Sequence, residues 1–424
     1  MTTVGNEVFS GDLTASSAYR RMAFIRRFEE RAFELSLAGE IAGSIHLCFG
    51  QEAIPVGALA GLRSDDRVIA TYRGHGWALA CRSDPTAVMA EICQRESGLN
   101  NGRAGSPLLS DYTVGFVGEN SIVGAGVPIA AGVGLASVVL GTNRVVLVSI
   151  GDGAMNQGSV MEGLALAAAR NLPVIVICEN NGWSEMTPIT VTTRGFDLAD
   201  RSRALGIESH VVDGNDPFAV REAVHHAAEA CRRGQGPVFL ECKTARLKGH
   251  YNKDIEHYRS QEDKDAAAAA DPLTRLASSA GDALTADAAA AISEEVSELV
   301  EAVVQAALAG PAPDPSSVLD HMFGAVPDQQ QHELESGAKE MTYQRAINQA
   351  LRHELETRPE VVIYGEDVGF AGGIFGVTRS LQKDFGDARI FDTPIAESAI
   401  LGSAVGAAIE GCRPVVEIMW ADFL

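Results

Sequence analysis

The sequence has too few basic residues to favour a nucleic acid or an anionic membrane as a partner. Its 34 lysines and arginines stand against 56 acidic residues, a formal net charge of −22, so we predict neither kind of binding. No CxxC pair occurs among the seven cysteines, most of which stand in apolar runs as reduced core thiols do. The first residues, MTTVGNEVFSGD, lack a basic-then-apolar signal pattern, and we predict a cytoplasmic protein.

Charged residues are also absent from one long stretch, residues 121–143 (SIVGAGVPIAAGVGLASVVLGTN). Its length suits a membrane span, but it contains five glycines and a proline and runs directly into another apolar strand. A buried, glycine-lined helix packed against a sheet or a ligand explains these features better. We therefore predict no membrane-spanning segment here.

Hydrophobic periodicity divides the chain into two α/β stretches. Apolar residues at helical spacing predict an amphipathic helix over 15–38, and the runs RVVLVSI, LPVIVICE and GPVFLECKT predict strands. Proline, glutamine and charge at 326–340 are typical of a linker. A fresh alternation of helices and strands begins at Met341. We predict a domain over 1–325, with a parallel sheet flanked by helices, and a partial second α/β domain over 341–424.

Two polar motifs stand at the ends of two predicted strands. Gly151, Asp152 and Gly153 follow the first strand, and Asn180 and Asn181 follow the second, with 26 residues between the motifs. That interval holds one helix and one strand. Because the carboxyl ends of adjacent parallel strands form the usual ligand crevice, the spacing brings a carboxylate and an amide oxygen together.

These donors suit a magnesium ion that shares its oxygen shell with a diphosphate. The glycines beside Asp152 leave room for the diphosphate, and the next helix directs its positive end towards it. Taken singly, the Gly-Asp-Gly motif can also be interpreted as a turn and the Asn-Asn pair as a helix cap. Taken jointly, after two strands, they favour a metal–diphosphate site.

The motif pair resembles the fingerprint of thiamin diphosphate enzymes. Residues from about 18 to 325 resemble the alpha subunit of the decarboxylase component of 2-oxo acid dehydrogenases (pyruvate, branched-chain and acetoin types), through HLCFGQEA, TYRGHG, IVGAGVPIAAG, GDGAMNQG, ENNGW and KGHYN. From 341 onward the chain resembles the start of the beta subunit, through GEDV and DTPIAES. The resemblance implies the thiamin diphosphate-binding fold, with thiamin diphosphate and Mg²⁺ as cofactors.

The resemblance also implies a role for each matching residue. Asp152, Asn181 and the backbone carbonyl of Trp183 would coordinate Mg²⁺, although the family more often has tyrosine at the last position. The other implied cofactor contacts are Tyr72 and Val123 at the aminopyrimidine, Arg73 and His250 at the diphosphate, Gly151, Gly153 and Ala154 in the diphosphate cradle, and Glu366 close by.

Three residues carry the implied catalysis. Glu397, in TPIAES, matches the beta-subunit glutamate that hydrogen-bonds a pyrimidine ring nitrogen, and proton exchange there favours the imino tautomer that activates the cofactor. His46 and His250 would lie near the reacting carbon. Without the resemblance, Glu397 is interpreted as a helix-start carboxylate and His46 as a core histidine.

The chain departs from the family on the substrate side, which leaves the donor open. Pro107 and Leu108 stand where the family has a methionine-histidine pair, and Lys248 replaces a common histidine. One donor is a 2-oxo acid, whose acyl unit passes to a lipoyl arm. The other is a ketose phosphate, whose ketol unit passes, as in a transketolase, to a lipoyl or acyl carrier protein thiol in antibiotic biosynthesis. A third interpretation is a non-catalytic assembly subunit, which the intact motifs disfavour.

Partner chains are expected as well. In the family, the diphosphate half and the pyrimidine half of the site meet at subunit interfaces. Since the sequence ends at Leu424, partway through the beta-like domain, we expect either a fragment or a second chain that supplies the rest. The expected assembly is a homo- or hetero-oligomer such as a heterotetramer, active only when complete.

Overall fold

A computed structural model describes residues 4–195, 197–320, 322–324 and 340–424. Apart from Glu340, the predicted linker at 326–340 lies outside the described residues. Helices and strands alternate along most of the chain, as predicted, and the mixed α/β class is confirmed.

The helices are numbered in chain order. They are α1 (Val4–Phe9), α2 (Ala15–Ala38), α3 (Ala53–Gly61), α4 (His75–Ala80), α5 (Pro85–Ile92), α6 (Gly126–Leu140), α7 (Gly158–Ala169), α8 (Ile189–Thr192), α9 (Ala199–Arg203), α10 (Pro217–Arg232), α11 (Gln261–Ala269), α12 (Pro272–Ser279), α13 (Ala286–Leu308), α14 (Tyr343–Thr357), α15 (Leu381–Phe385) and α16 (Glu397–Ile409).

The strands form three sheets. They are β1 (Arg67–Thr71), β2 (Phe116–Asn120), β3 (Val146–Gly151), β4 (Val174–Asn180), β5 (Trp183–Ser184), β6 (Thr187–Pro188), β7 (Glu208–Asp213), β8 (Val238–Lys243), β9 (Val361–Gly365), β10 (Ile390–Asp392) and β11 (Arg413–Glu417). Six of them form a parallel sheet in the order β2-β1-β3-β4-β8-β7, three form a smaller parallel sheet in the order β10-β9-β11, and β5 and β6 form a short antiparallel pair.

The register of the large sheet brings the two polar motifs to one edge. Gly151 at the end of β3 pairs with Glu179 of β4, and Asn180 pairs with Lys243 of β8. Every residue of β4 is buried, as expected for a strand covered by helices on both faces of a parallel sheet. The carboxyl ends of β3 and β4 therefore lie side by side, as the sequence predicts.

The predicted amphipathic helix over 15–38 is confirmed as α2. Thr14 starts it with a reciprocal capping box with Ser17, and Gly39 ends it at a φ of +84°, a conformation that glycine adopts without strain. The buried residues of α2, among them Phe24 and Phe28, form part of the core that covers one face of the large sheet.

The apolar stretch at 121–143 forms α6, which packs against α16 of the second unit. The approach is close enough to exclude side chains: a Cβ on Gly132 would lie 1.9 Å from the carbonyl oxygen of Ser403, and one on Gly406 would lie 1.9 Å from that of Ile129. Glycine is required at both positions because the two backbones nearly touch. Within the described part of the chain, no helix combines the length and apolarity that a bilayer crossing needs.

The second unit has the predicted alternation. The helix, strand and loop pattern after Met341 becomes α14, β9, β10, α16 and β11, and Glu397 is the first residue of α16. The structure also contains β1, β2 and β7, three strands that the sequence analysis did not identify.

Candidate active site

Most of the predicted cofactor residues meet at one cavity of about 260 Å³, at the carboxyl ends of β1, β3 and β4, but the predicted His46, Glu366 and Glu397 do not line it. Ten of the predicted residues line it: Tyr72, Arg73, Val123, Gly151, Asp152, Gly153, Ala154, Asn181, Trp183 and His250. They come from distant parts of the sequence, and the parallel register is what brings their loops together.

Asp152 is a cavity residue whose hydrogen bonding is incomplete. Its side chain is 1% exposed, and its Oδ2 atom is buried without a hydrogen-bond partner among the described residues. Burial raises the pKa of Asp152 to about 6. A buried carboxylate oxygen without a partner is costly, and a cation in the cavity would remove that cost.

The two asparagines of the second motif point to different partners. Asn180 donates from Nδ2 to Glu241 at 2.7 Å, whereas Asn181 donates from Nδ2 to Oε1 of Gln51 at 2.9 Å. The nitrogen of Asn181 is therefore occupied, and its Oδ1 accepts only the Trp183 N–H, at 3.1 Å, among the described contacts. A carbonyl-type oxygen keeps a second lone pair for a metal ion.

Gly153 leaves the space that a diphosphate needs. A Cβ at this position would lie 2.4 Å from Oγ of Ser184, a hydroxyl that is itself buried and without a partner in the described structure. Any larger residue would close the cavity at this point. The missing side chain and the unpartnered Asp152 and Ser184 oxygens fit a bound metal and diphosphate.

Two buried guanidinium groups supply positive charge to the same cavity. Arg73 donates to the backbone carbonyls of Leu47 and His250. Arg246, 2% exposed, donates to the carbonyl of Glu185 and to the Tyr258 hydroxyl, while its Nε has no partner among the described residues. Burial and the charge of Arg73 lower the pKa of Arg246, which indicates that this cation lacks full compensation by acids.

Three rings form a cluster at the side of the cavity. The His46 ring centroid lies 4.5 Å from that of Tyr72 and 4.8 Å from that of His250. Burial, with the charge of Arg73, lowers the pKa of His46 to about 3 and that of His250 to about 4. Both imidazoles are therefore neutral near pH 7, so each has one donor and one acceptor nitrogen.

Glu366 and Glu397 do not line this cavity. Both lie in the second unit, where Glu366 accepts a hydrogen bond from the Ala396 N–H, and burial with the charge of Glu397 raises the pKa of Glu366. Two residues into α16, the Ala399 N–H donates to Glu162 of α7 at 3.2 Å. The start of α16 is thus held beside α7, a helix that also contacts Gly124 at the cavity wall.

Nine further residues that line the cavity were missed in the sequence, among them Arg246, Gln51 and Glu179. Arg246 lies in a polar loop beside the predicted His250, where a lone arginine gives no spacing signal. Gln51 and Glu179 hydrogen-bond each other across the cavity wall, although 128 residues separate them. Glu179 could have been found from sequence, since it is a charged residue inside the apolar run of β4 next to Asn180.

Comparison with known proteins identifies two family models along the chain. Residues 20–316 match the dehydrogenase E1 component model, and residues 339–424 match the transketolase pyrimidine-binding domain model. The two matches correspond to the two units described above.

Curated relatives match the first of these units. The alpha subunit of an acetoin:2,6-dichlorophenolindophenol oxidoreductase from Cupriavidus necator is 40% identical over 316 residues, which is 73% of this chain and 94% of the relative. The pyruvate dehydrogenase E1 alpha subunit of Rhizobium meliloti is 39% identical over 304 residues, 71% of this chain and 87% of the relative. That of Zymomonas mobilis is 43% identical over 260 residues, 61% and 73% of the two chains.

Proposed function

Because the chain belongs to the dehydrogenase E1 component family, we propose that it cleaves a 2-oxo acid next to its carbonyl, releasing CO₂, and transfers the acyl unit to a lipoyl disulfide. The disulfide is the two-electron oxidant: one sulfur takes the acyl group as a thioester and the other is reduced to a thiol. The family assignment makes it a thiamin diphosphate-dependent enzyme component that acts with a partner subunit. The observation that carries the proposal is the cavity where the unpartnered Asp152 carboxylate, Arg73 and Arg246 meet.

The described residues suit both halves of a metal–diphosphate group. Asp152, Asn181 and the Trp183 carbonyl would bind Mg²⁺, a cation that prefers oxygen ligands and shares its shell with phosphates. Arg73 and Arg246 would bind the diphosphate oxygens, since guanidinium groups form charge-assisted hydrogen bonds with them. The space beside Gly153 would admit the diphosphate.

Thiamin diphosphate, when bound, supplies the nucleophilic carbon and the electron sink for breaking the bond next to the carbonyl. The chain's own residues would orient the donor and manage its protons. His46 and His250, neutral because of their lowered pKa values, can each donate a proton to, or accept one from, an oxygen of the donor. Glu397 would hold a proton at the pyrimidine ring nitrogen, a role that requires α16 to face a cofactor-bearing cavity.

Replacing Asp152 by asparagine tests the metal part of this proposal. We expect Asp152→Asn to weaken Mg²⁺-dependent uptake of thiamin diphosphate by more than the roughly 10- to 100-fold that outer-shell changes cost at metal sites. Calorimetric titration of the chain assembled with its partner subunit measures this. Asp200→Asn, which removes an exposed carboxylate paired with Arg203, is the matched control. Equal uptake by the wild type and Asp152→Asn would refute the proposal.

One observation favours the ketose phosphate as a second candidate donor. Lys248 is exposed and lines a neighbouring cavity of about 390 Å³ together with Tyr251, whose ring centroid lies 6.3 Å from those of both His46 and His250. An ammonium group can pair with a phosphate on the donor, but four carboxylates, those of Glu30, Glu34, Asp254 and Glu256, line the same cavity and oppose an anion there.

Mass measurement of the carrier separates the two donors. The assembled complex is incubated with a carrier in its oxidised lipoyl (disulfide) form and either pyruvate or fructose 6-phosphate, and the mass added to the carrier identifies the transferred unit. Acylation from pyruvate alone supports the 2-oxo acid, and a ketol adduct from the sugar phosphate alone supports the transketolase-like reaction. Lys248→Gln is then expected to impair only the sugar phosphate reaction.

A further inference from the structure

A second cavity, of about 510 Å³, lies at the opposite end of β1 from the candidate active site. Val68 lines this cavity and Thr71, at the other end of the same strand, lines the active-site cavity. Its volume falls within the roughly 300–1,000 Å³ typical of small-molecule sites. Nothing in the proposed reaction uses it.

Four arginines line this cavity: Arg21, Arg63, Arg82 and Arg221. We call it the arginine cavity. Arg63 and Arg82 are exposed, Arg221 is half-buried and Arg21 is buried. Their like charges repel one another, and an anion in the cavity would offset that repulsion. Only Arg63 has a carboxylate partner, Glu229 at 3.2 Å; the other three form no ion pair within the residues that the structure describes.

Arg21 is the most deeply placed of the four. It is 4% exposed and donates from Nη2 to the carbonyls of Ser10 and Gly11, while its buried Nε has no partner among the described residues. Burial and the charge of Arg82 lower the pKa of Arg21. A guanidinium that is buried and has no carboxylate partner is costly, and an anion in the cavity beside it would offset part of that cost.

The acidic residues of the lining do not neutralise these cations. Asp66 is buried and already accepts hydrogen bonds from the Arg232 guanidinium and from the backbone N–H groups of Arg63 and Val145. Asp12, the other lining carboxylate, raises the pKa of Arg21, but burial and Arg82 outweigh it. An excess of positive charge therefore remains.

Apart from Ser64, the remaining side chains of the lining are mostly apolar. Phe9, Leu59, Leu62 and Val114 contribute to it, on the same cavity as the arginines. Arg82 also has a φ of +74°, a backbone conformation that residues other than glycine rarely adopt and that tends to be retained at functional sites. A ligand with an anionic end and an apolar or aromatic body matches both parts of the wall.

We propose that the arginine cavity binds a phosphate ester whose body is apolar or aromatic, such as a nucleoside phosphate. Guanidinium groups recognise phosphate through charge-assisted, often bidentate, hydrogen bonds. Arg82 and Arg221, which form no ion pair in the described part of the chain, supply the donors, and the apolar wall accepts the base or another flat group.

Calorimetric titration with ADP tests the proposal. The full chain is first saturated with thiamin diphosphate and Mg²⁺, so that the active-site cavity does not compete, and is then titrated with ADP, adenosine or inorganic pyrophosphate. We expect ADP to bind about tenfold or more tightly than either part alone, since both the anion and the apolar body contribute. If adenosine or inorganic pyrophosphate bound as tightly as ADP, the proposal would be overturned.

Paired arginine substitutions show where ADP binds. Arg82→Gln combined with Arg221→Gln is expected to weaken ADP binding about tenfold or more, because two charge-assisted contacts are lost. The control, Arg345→Gln combined with Arg379→Gln, removes the same charge from two exposed arginines of the second unit and should leave the affinity within about twofold. Unchanged ADP affinity in the first variant, with circular dichroism showing it folded, would also overturn the proposal.

Discussion

Gln51 shows how a residue outside the predicted set can determine the geometry of a predicted ligand. It is 1% exposed, donates to Glu179 and accepts from Nδ2 of Asn181. Because Gln51 occupies the amide nitrogen, the oxygen of Asn181 is the atom left for a metal. Gln51 therefore acts as a positioning residue in the proposed site.

Removing the Gln51 amide should weaken Mg²⁺ binding without impairing the reaction once Mg²⁺ is bound. We expect Gln51→Ala to lower Mg²⁺ affinity about 10- to 100-fold, the usual cost of losing a group that orients a metal ligand, with activity recovered at high Mg²⁺. Titrating Mg²⁺ at saturating thiamin diphosphate measures the shift. The control is Gln261→Ala, an exposed glutamine that bonds only Asp265. An unchanged Mg²⁺ affinity would remove Gln51 from this role.

His46 should make stability depend on pH. Burial and Arg73 hold its pKa at about 3 in the folded chain, whereas an unfolded histidine titrates near about 6.5. Below that pH the unfolded state binds a proton that the folded state excludes, so the free energy of unfolding falls as pH decreases.

His46→Asn removes this contribution. In urea denaturation at pH 7 and pH 5, we expect the variant to lose less free energy of unfolding between the two values than the wild type does. The control is His226→Asn, because His226 is an exposed residue of α10. This variant should lose as much free energy of unfolding between the two pH values as the wild type does. If His46→Asn lost as much free energy of unfolding between pH 7 and pH 5 as the wild type does, the lowered pKa of His46 would be contradicted.

At the level of elements, α6 and α16 form the closest contact between the two units. Glycines at 132, 402 and 406 let the helix backbones approach, and a Cβ on Gly402 would lie 2.5 Å from that of Pro128. The contact fixes where α16 begins, and therefore where Glu397 stands. Helix pairs that meet through small residues pack through their backbones and tolerate little added volume.

A single methyl group at Gly406 should disturb this contact. Alanine ordinarily stabilises a helix by about 1 kcal/mol relative to glycine, but here the overlap with Ile129 should cost about 1–3 kcal/mol overall. Chemical denaturation of Gly406→Ala measures the change. Gly158→Ala on α7, whose Cβ would meet no atom closer than 3.9 Å, should be neutral or stabilising. A stabilised Gly406→Ala would show that the helices do not pack as described.

Hydrophobic pattern predicted the elements that are long or wholly buried. The helix at 15–38 and the strands β3, β4, β8 and β9 follow directly from periodicity and apolar runs. The strands β1, β2 and β7 were missed although none is shorter than β9. Of these, β2 and β7 are the two edge strands of the large sheet, and most of their residues are not buried, whereas β1 is internal and buried and has no such explanation. An edge strand of this kind has neither the continuous apolar run nor the turn signals on which sequence prediction depends.

At the scale of the whole molecule, a buried ion-pair network joins the two units. Glu410, which follows α16, accepts from Nε of Arg67 at 2.7 Å and from Nη1 of Arg144 at 3.2 Å. The Glu410 and Arg67 side chains are only 5% and 10% exposed. Arg67 is the first residue of β1 and Arg144 lies just before β3, and both strands belong to the sheet that carries the candidate site. The network therefore fixes how the second unit sits against the first.

Neutralising Glu410 should therefore destabilise the docked chain. We expect Glu410→Gln to lower the free energy of unfolding by about 3 kcal/mol, as when one partner of a buried ion pair is removed. Guanidinium denaturation checks this. Glu354→Gln, which breaks an exposed pair with Arg358, should change the stability by less than about 1 kcal/mol. Equal stability of the two variants would indicate that the network does not hold the units together.

The sequence by itself determined the class of fold, the two motifs of the proposed diphosphate site and the family resemblance. Those features are local: an apolar strand followed by Gly-Asp-Gly or Asn-Asn carries its meaning within a few residues. The family models that match 20–316 and 339–424 agree with that assignment.

Only the tertiary structure decided which distant side chains share a space. It brought Gln51 to Asn181, added Arg246 to the active-site cavity and gathered four arginines at the opposite end of β1. It also left Glu366 and Glu397 outside the cavity lining, beside one another. These contacts between distant residues depend on strand register and on helix packing between remote segments. Neither can be inferred from the residues at a single position of the chain.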